Sequence, residues 1–261
     1  MSEELRISLS QNRGSREKQE DAMLVSSEQA YSSHGFLAVL SDGMGGMQDG
    51  EKFSAIATRE MIQSFETEAP ERDMCHELLR CYERAQKEAL AIQPEKEEDR
   101  GGATVTAFLF RDGKAAFLSV GDSRIYLLRG GGLIQLNREQ TLGVRLDERA
   151  ALGDITWSQV KDNGKRKALI AHLGKESGID PDLSSHPQTL VPGDRVILMS
   201  DGVFGTLSDE ELLPLLSGDL RTCADNVIRS VLKKEKKGQD NCSVLVVELT
   251  DEETGNGEGG V

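Results

Sequence analysis

Apolar residues follow two rhythms along this chain. Short apolar runs, rich in aliphatic and β-branched residues, recur between turn residues. The clearest are Phe36-Leu37-Ala38-Val39-Leu40 and Val196-Ile197-Leu198-Met199. Such runs predict buried strands. Similar patterns predict strands over 5–10, 22–27, 35–41, 103–110, 115–120, 124–128, 133–136, 186–190, 195–200 and 242–249. Asp112-Gly113, Gly130-Gly131-Gly132 and Pro192-Gly193-Asp194 supply hairpin-type turns between them. The other rhythm has a helical period and predicts helices over 50–67, 73–92, 208–216 and 220–233. Residues from about 139 to 175 carry no clean period. They mix Trp157 with Lys161, Lys165, Arg166 and Lys167, and read as an excursion from the core.

Strands grouped by hairpin signals, with helices in pairs between the groups, predict an α+β arrangement and not a doubly wound parallel sheet. At 261 residues the chain can form one large domain or two small ones. Aromatics make up only 4%, so the core must be aliphatic. The formal net charge of −14 argues against binding nucleic acid, whose phosphates need clustered Lys and Arg. No secretory signal opens the chain, and no apolar run approaches the roughly 20 residues of a membrane helix. These features lead us to expect a cytoplasmic monomer with no nucleic-acid or membrane partner. Cys75, Cys81, Cys223 and Cys242 show neither CxxC nor zinc-type spacing. Cys81 and Cys223 fall in phase with apolar helix positions and read as core residues.

The two clearest strands end alike, in Ser41-Asp42-Gly43 and Ser200-Asp201-Gly202. A carboxylate at the lip of an apolar core is costly unless paired, and a divalent cation is an efficient partner. Asp21 opens the strand at 22–27, Asp240 precedes the last strand, and Asp122 lies between the strands at 115–120 and 124–128. Taken singly, each of these aspartates reads as a turn or cap residue. Together they suggest an oxygen-only site, which selects Mg²⁺ or Mn²⁺. Two such ions can activate a water and clamp a phosphate. Arg16 supplies a planar cation suited to phosphate oxygens.

The ordered set Arg16-x-x-x-Glu20-Asp21, Ser41-Asp42-Gly43-Met44-Gly45-Gly46, Gly121-Asp122-Ser123-Arg124, Ser200-Asp201-Gly202 and Asp240-Asn241 resembles the metal-dependent serine/threonine protein phosphatases of type 2C (PPM), in a bacterial form. The resemblance runs from about Leu5 to Leu249. It implies a four-layer αββα sandwich of two antiparallel β-sheets flanked by helix pairs. The same resemblance makes 1–249 a single catalytic domain with a flap at about 142–170; the acidic, Gly-rich composition of 250–261 predicts a disordered tail after it. Asp42 would bridge two Mn²⁺ or Mg²⁺ ions, with Asp21, Asp201, Asp240 and the Gly43 carbonyl completing the set. Asp122 would join Asp201 at a third ion. Glu20 would act through metal-bound water, and Arg16 would bind phosphate. The implied reaction is direct attack of metal-activated water on phosphoserine or phosphothreonine in proteins, the substrates of a serine/threonine kinase, with no phosphoenzyme.

The chain also departs from the family pattern. Gln19 replaces a common Asn, and Met44 a histidine frequent in eukaryotic members. Glu139-Gln140-Thr141 replaces Asp-His-Ser, and His172 sits in a weakly matching stretch where it reads as structural. Two other readings share these residues: an inactive regulatory module that binds a partner protein, and a phosphatase for small phosphoesters.

Overall fold

The computed structural model describes residues 3–44, 49–96 and 100–251 of the protein. Gly45 and Gly46 of the second motif, and residues 252–261 of the expected tail, lie outside the described residues. In chain order the first elements are β1 (Glu3–Asn12), β2 (Asp21–Val25), α1 (Glu28–His34), β3 (Phe36–Met44), α2 (Gly50–Thr67) and α3 (Met74–Ala91). The central strands follow: β4 (Gly102–Ala103), β5 (Val105–Arg111), β6 (Lys114–Val120), β7 (Arg124–Arg129) and β8 (Gly132–Gln135). Then come α4 (Leu142–Ala151), α5 (Trp157–Lys161), β9 (Asp182–Leu183), β10 (Gln188–Thr189) and β11 (Arg195–Met199). The chain closes with α6 (Asp201–Phe204), α7 (Asp209–Leu216), α8 (Leu220–Lys233) and β12 (Cys242–Asp251).

Two antiparallel sheets result. One has the order β1-β12-β11-β7-β8, and the other β10-β6-β5-β3-β2 with β4 added on β3 and β9 on β6. The alternation of side chains along each strand builds the layers. On β3, Leu37 and Val39 pack with Phe53, Met61, Leu78 and Cys81 of the α2–α3 pair. Phe36, Ala38 and Leu40 face the opposite way and meet Val196 and Leu198 of β11 and Leu245 and Val247 of β12. On those two strands Ile197, Met199, Val244 and Val246 turn outward onto Leu212, Leu216, Val227 and Val231 of α7 and α8. Both faces of each central strand are therefore apolar, which is why the sequence shows continuous runs there. The expected helix–sheet–sheet–helix layering is the observed fold.

Several elements differ from expectation. The strand expected over 103–110 is interrupted at Thr104, where the Asp42 N–H donates to Thr104 Oγ1 at 2.9 Å instead of to a carbonyl. The strand expected over 186–190 shrinks to β10, and β12 continues past Leu249 to Asp251. The aperiodic stretch holds α4, capped at its start by Thr141, and α5, opened by a Thr156–Gln159 capping box. Their short lengths leave too few turns for a readable period. Among the described residues no helix is long and apolar enough to cross a membrane.

Candidate active site

Strand direction gathers the acidic residues at one end of the sandwich. Asp21, at the start of β2, lies directly opposite Asp42, near the end of the antiparallel β3. Like charges placed opposite in a ladder repel. In the other sheet β11 ends just before Asp201, and β12 begins just after Asp240, again antiparallel. Asp122 sits in the β6–β7 turn, and the Val120–Val105 pairing puts that turn at the same end.

Hydrogen bonds hold the two sheets together there. Asp21 Oδ2 accepts from Ser200 Oγ at 2.8 Å and from Ser243 Oγ at 2.7 Å. A carboxylate of one sheet is thus gripped by hydroxyls on the other. Asp21 Oδ1 is buried and has no hydrogen-bond partner among the described residues. The Asn241 amide pins the loop of residues 13–20: Nδ2 donates to the Arg13 and Lys18 carbonyls, and Oδ1 accepts from the Glu20 N–H at 2.7 Å. The Gly43 N–H donates to the Glu20 carbonyl at 3.1 Å. Glycine is required at two of the motif positions. A Cβ on Gly43 would strike the Gly50 carbonyl, and one on Gly202 would strike the Asn241 carbonyl oxygen.

The carboxyl groups disturb one another. Loss of solvation, with the charges of Asp21, Asp201, Asp122 and Asp240 adding to it, holds Asp42 well above the usual carboxylate range. Burial pushes Asp21 up to about 6 against the pull of its two serines. Asp122 is pushed up to about 7 by burial and then by Asp201 and Glu139. Asp201 is raised by burial and by Asp240, with Lys167, Lys236 and Arg16 opposing. Glu20 is raised by burial and then by Glu51.

Each expected site residue lies at this end. Arg16, however, is held by Asp240: its Nη2 donates to Asp240 Oδ2 at 2.6 Å, and both side chains are about half exposed. Among the described residues no three His, Cys, Asp or Glu side chains are closed into a ready-made ion cage. The donor set nevertheless fits a hard divalent cation in its chemistry. It is all oxygen, it is strained by its own charge, and it contains a buried carboxylate oxygen with no partner.

Sequence reasoning missed the serines that grip Asp21 and the role of Thr104. The repeated Ser-Asp-Gly was the available signal, because each serine secures a neighbouring element. Ser41 Oγ donates to the Thr104 carbonyl at 2.6 Å, and Ser200 Oγ to Asp21. The His172 ring packs against Gly102, and its Nδ1 is hydrogen-bonded to the Leu173 carbonyl at 3.0 Å. Cys242 is buried and its thiol is pushed up to about 11, which disables it as a nucleophile.

The class of protein defined here is a two-sheet antiparallel sandwich flanked by helix pairs, with strand-end carboxylates crowded at one end. Residues 11–235 match the family model described as Protein phosphatase 2C. The chain belongs to that family. It is 32% identical over 223 residues to the serine/threonine protein phosphatase PstP of Mycobacterium tuberculosis, covering 84% of this chain and 41% of that protein. It therefore spans about two fifths of that relative's length. It is 28% identical to the serine/threonine phosphatase stp of Listeria monocytogenes, covering 81% of this chain and 84% of that protein. A crystal structure of the PstP catalytic domain in complex with two manganese ions shares the fold with a TM-score of 0.76 and 27% identity. The match covers 96% of this chain and all of that one.

Proposed function

We propose that residues 1–249 act as one catalytic domain that hydrolyses phosphoserine and phosphothreonine in proteins with the help of Mn²⁺ or Mg²⁺. The observation that carries this reading is the buried Oδ1 of Asp21, without a partner among the described residues, opposite Asp42 in a cluster of mutually destabilised carboxylates. Such a cluster is costly in itself and becomes favourable once cations neutralise it. The names of the relatives and the two manganese ions of the PstP structure support the same reading.

In this reading Asp42, Asp21, Asp201, Asp240 and the Gly43 carbonyl would hold two ions, and Asp122 with Asp201 would hold a third. The ions supply Lewis acidity, which lowers the pKa of water and offsets charge on phosphate. The chain's own residues do the rest. Asp240 would be among the residues that hold a cation, and Arg16, which now pairs with it, carries the planar fork suited to gripping two phosphate oxygens. Ser200 and Ser243 fix the Asp21 carboxylate so that its other oxygen points at one place. Glu20, with its carboxyl raised, orients water at the rim. Water adds to phosphorus and gives up a proton, the P–O bond to the seryl or threonyl oxygen breaks, and that oxygen leaves with the proton the water has lost. The 142–170 segment is the flap beside this site. The fitting partners are phosphoproteins made by a serine/threonine kinase, met by a cytoplasmic monomer.

Hydrolysis of a phosphothreonine peptide with Mn²⁺, and again with chelator, tests this. Several kcal/mol of metal stabilisation correspond to a loss of at least about 10²-fold in kcat for Asp42→Asn or Asp201→Asn. Turnover that ignores chelator, or that survives either substitution, overturns the reading.

A further inference from the structure

Gln140 stands where the family commonly has a histidine, and by sequence it looks like a lost proton donor. Its contacts give it a different part. The Gln140 N–H donates to the Gly121 carbonyl at 2.7 Å, and Gln140 Oε1 accepts from the Gly121 N–H at 3.0 Å. One residue thus holds both backbone groups of the glycine that precedes Asp122. Gln140 Nε2 donates to the Asp180 carbonyl at 2.6 Å, and the Gln140 carbonyl accepts from the Ile170 N–H at 2.9 Å. The segment of residues 142–170 is therefore fastened at entry and exit by the residue that clamps Gly121.

Gly121 has little freedom to move away from that clamp. Its φ is +103°, and a Cβ there would come within 2.7 Å of Thr104 Cγ2. Thr104 in turn grips the Asp42 backbone: its N–H donates to the Asp42 carbonyl at 2.8 Å, and its Oγ1 accepts from the Asp42 N–H. The sequence of contacts runs from Asp42 through Thr104 and Gly121 to Gln140. On the other side of Asp122, Arg124 Nε donates to Glu139 Oε1 at 2.6 Å, and the guanidinium lies 4.0 Å over the Phe204 ring of α6. Asp122 is thus flanked on both sides by residues tied to the 139–140 pair.

We propose that Gln140 is a positioning residue that fixes Asp122 relative to Asp42 and links its placement to the seating of the 142–170 segment. The inference rests on the preceding reading that Asp122 serves a metal-dependent site. A side-chain amide suits the task because it offers one acceptor and one donor side by side. A neutral imidazole offers the same pair, so the task accommodates either residue.

Gln140→Met keeps the side-chain length and removes both polar partners. Calorimetric Mn²⁺ titration and phosphopeptide kinetics on the full chain provide the test. Net hydrogen-bond energies correspond to about three- to tenfold in an equilibrium constant. Gln140→Met is expected to weaken the Asp122-dependent part of Mn²⁺ binding by that factor, with activity recovering at high Mn²⁺. In an Asp122→Ala background it should add nothing further, because the two residues act as one unit. Gln140→His should bind Mn²⁺ as wild type does. Effects that add fully to those of Asp122→Ala overturn the proposal. So does a wild-type Mn²⁺ titration accompanied only by a lower melting temperature. If Gln140→Met fails to fold, a folded Gln140→His with weakened Mn²⁺ binding overturns it instead, and one that binds as wild type supports it. Mn²⁺ binding without hydrolysis in the wild type would sink the functional reading alone, and the calorimetric cycle would still decide this one. A wild type that binds no Mn²⁺ would overturn both.

Discussion

Asp122 shows what a crowded carboxylate does to a fold before any cation reaches it. Its carboxyl is raised from 3.8 to about 7, so the folded state holds the proton more tightly than the unfolded chain does. Stability from this group is therefore greatest in acid and declines as pH rises through the window from about 4 to 7. Above that window the charged form is a burden that an amide would remove. Asp122→Asn is expected to raise the melting temperature of the chelated protein at pH 8 by about 2–4 °C, equivalent to roughly 1 kcal/mol after discounting for partial exposure. The same substitution should weaken Mn²⁺ binding. A stabilised but poorer binder is the familiar outcome where a site is kept strained for function. A scan with chelator at pH 8 that shows no rise, or a fall, would contradict the electrostatic account of this residue.

At the scale of elements, the site depends on how closely α6 approaches the start of β12. Gly202 in the first turn of α6 leaves no room for a Cβ against the Asn241 carbonyl. Gly202→Ala must push α6, which carries Asp201, away from Asn241 and so from the neighbouring Asp240, at about 1–3 kcal/mol of overpacking. The expected result is a protein that folds, shows a native circular dichroism spectrum and loses most of its stabilisation by Mn²⁺. Wild-type Mn²⁺ stabilisation in Gly202→Ala would show that the spacing of α6 and β12 does not matter. The sequence already carried this pairing, because β11 and β12 are apolar on both faces and so announce themselves as strands with carboxylates at their ends. Leu37 and Val39 against Phe36, Ala38 and Leu40 likewise make the layers readable from a period of two. What stayed hidden were contacts between residues far apart in the chain whose local pattern is ordinary. Ser243 reaching Asp21, Thr104 holding Asp42 and Gln140 clamping Gly121 leave no periodic trace. The pairing of Arg16 with Asp240 was also illegible, since a sequence does not show which of several acids an arginine will meet first.

Across the whole molecule, the two sheets and their flanking helix pairs supply stability that the acidic end works against. Asp21, Asp42, Asp122 and Asp201 all have carboxyl groups raised by burial and then by neighbouring acids, among them Asp201 and Asp240. Each binds its proton more tightly when folded, so their effects on stability share a sign. With chelator present, the melting temperature should be highest near pH 5 and fall toward pH 8, as Asp21 passes about 6 and Asp122 about 7. Many proteins lose stability toward acid because paired carboxylates must be protonated there. This end of the molecule tilts the curve the other way, because its carboxylates face one another more than they face cations. The formal net charge of −14 adds a general repulsion of the same sign. Divalent ions should remove the slope. An ion at 100 times its dissociation constant stabilises by about 2.7 kcal/mol, or roughly 5–11 °C for a chain of this size. At pH 8, Mn²⁺ should therefore raise the melting temperature by more than it does at pH 5, while an equal ionic strength of NaCl should not reproduce the difference. Scanning calorimetry at both pH values, with chelator, Mn²⁺ or NaCl, measures these differences. Equal Mn²⁺ shifts at the two pH values, or a chelated protein that grows more stable from pH 5 to 8, would mean that the carboxylates at this end do not act on one another as a single acidic cluster.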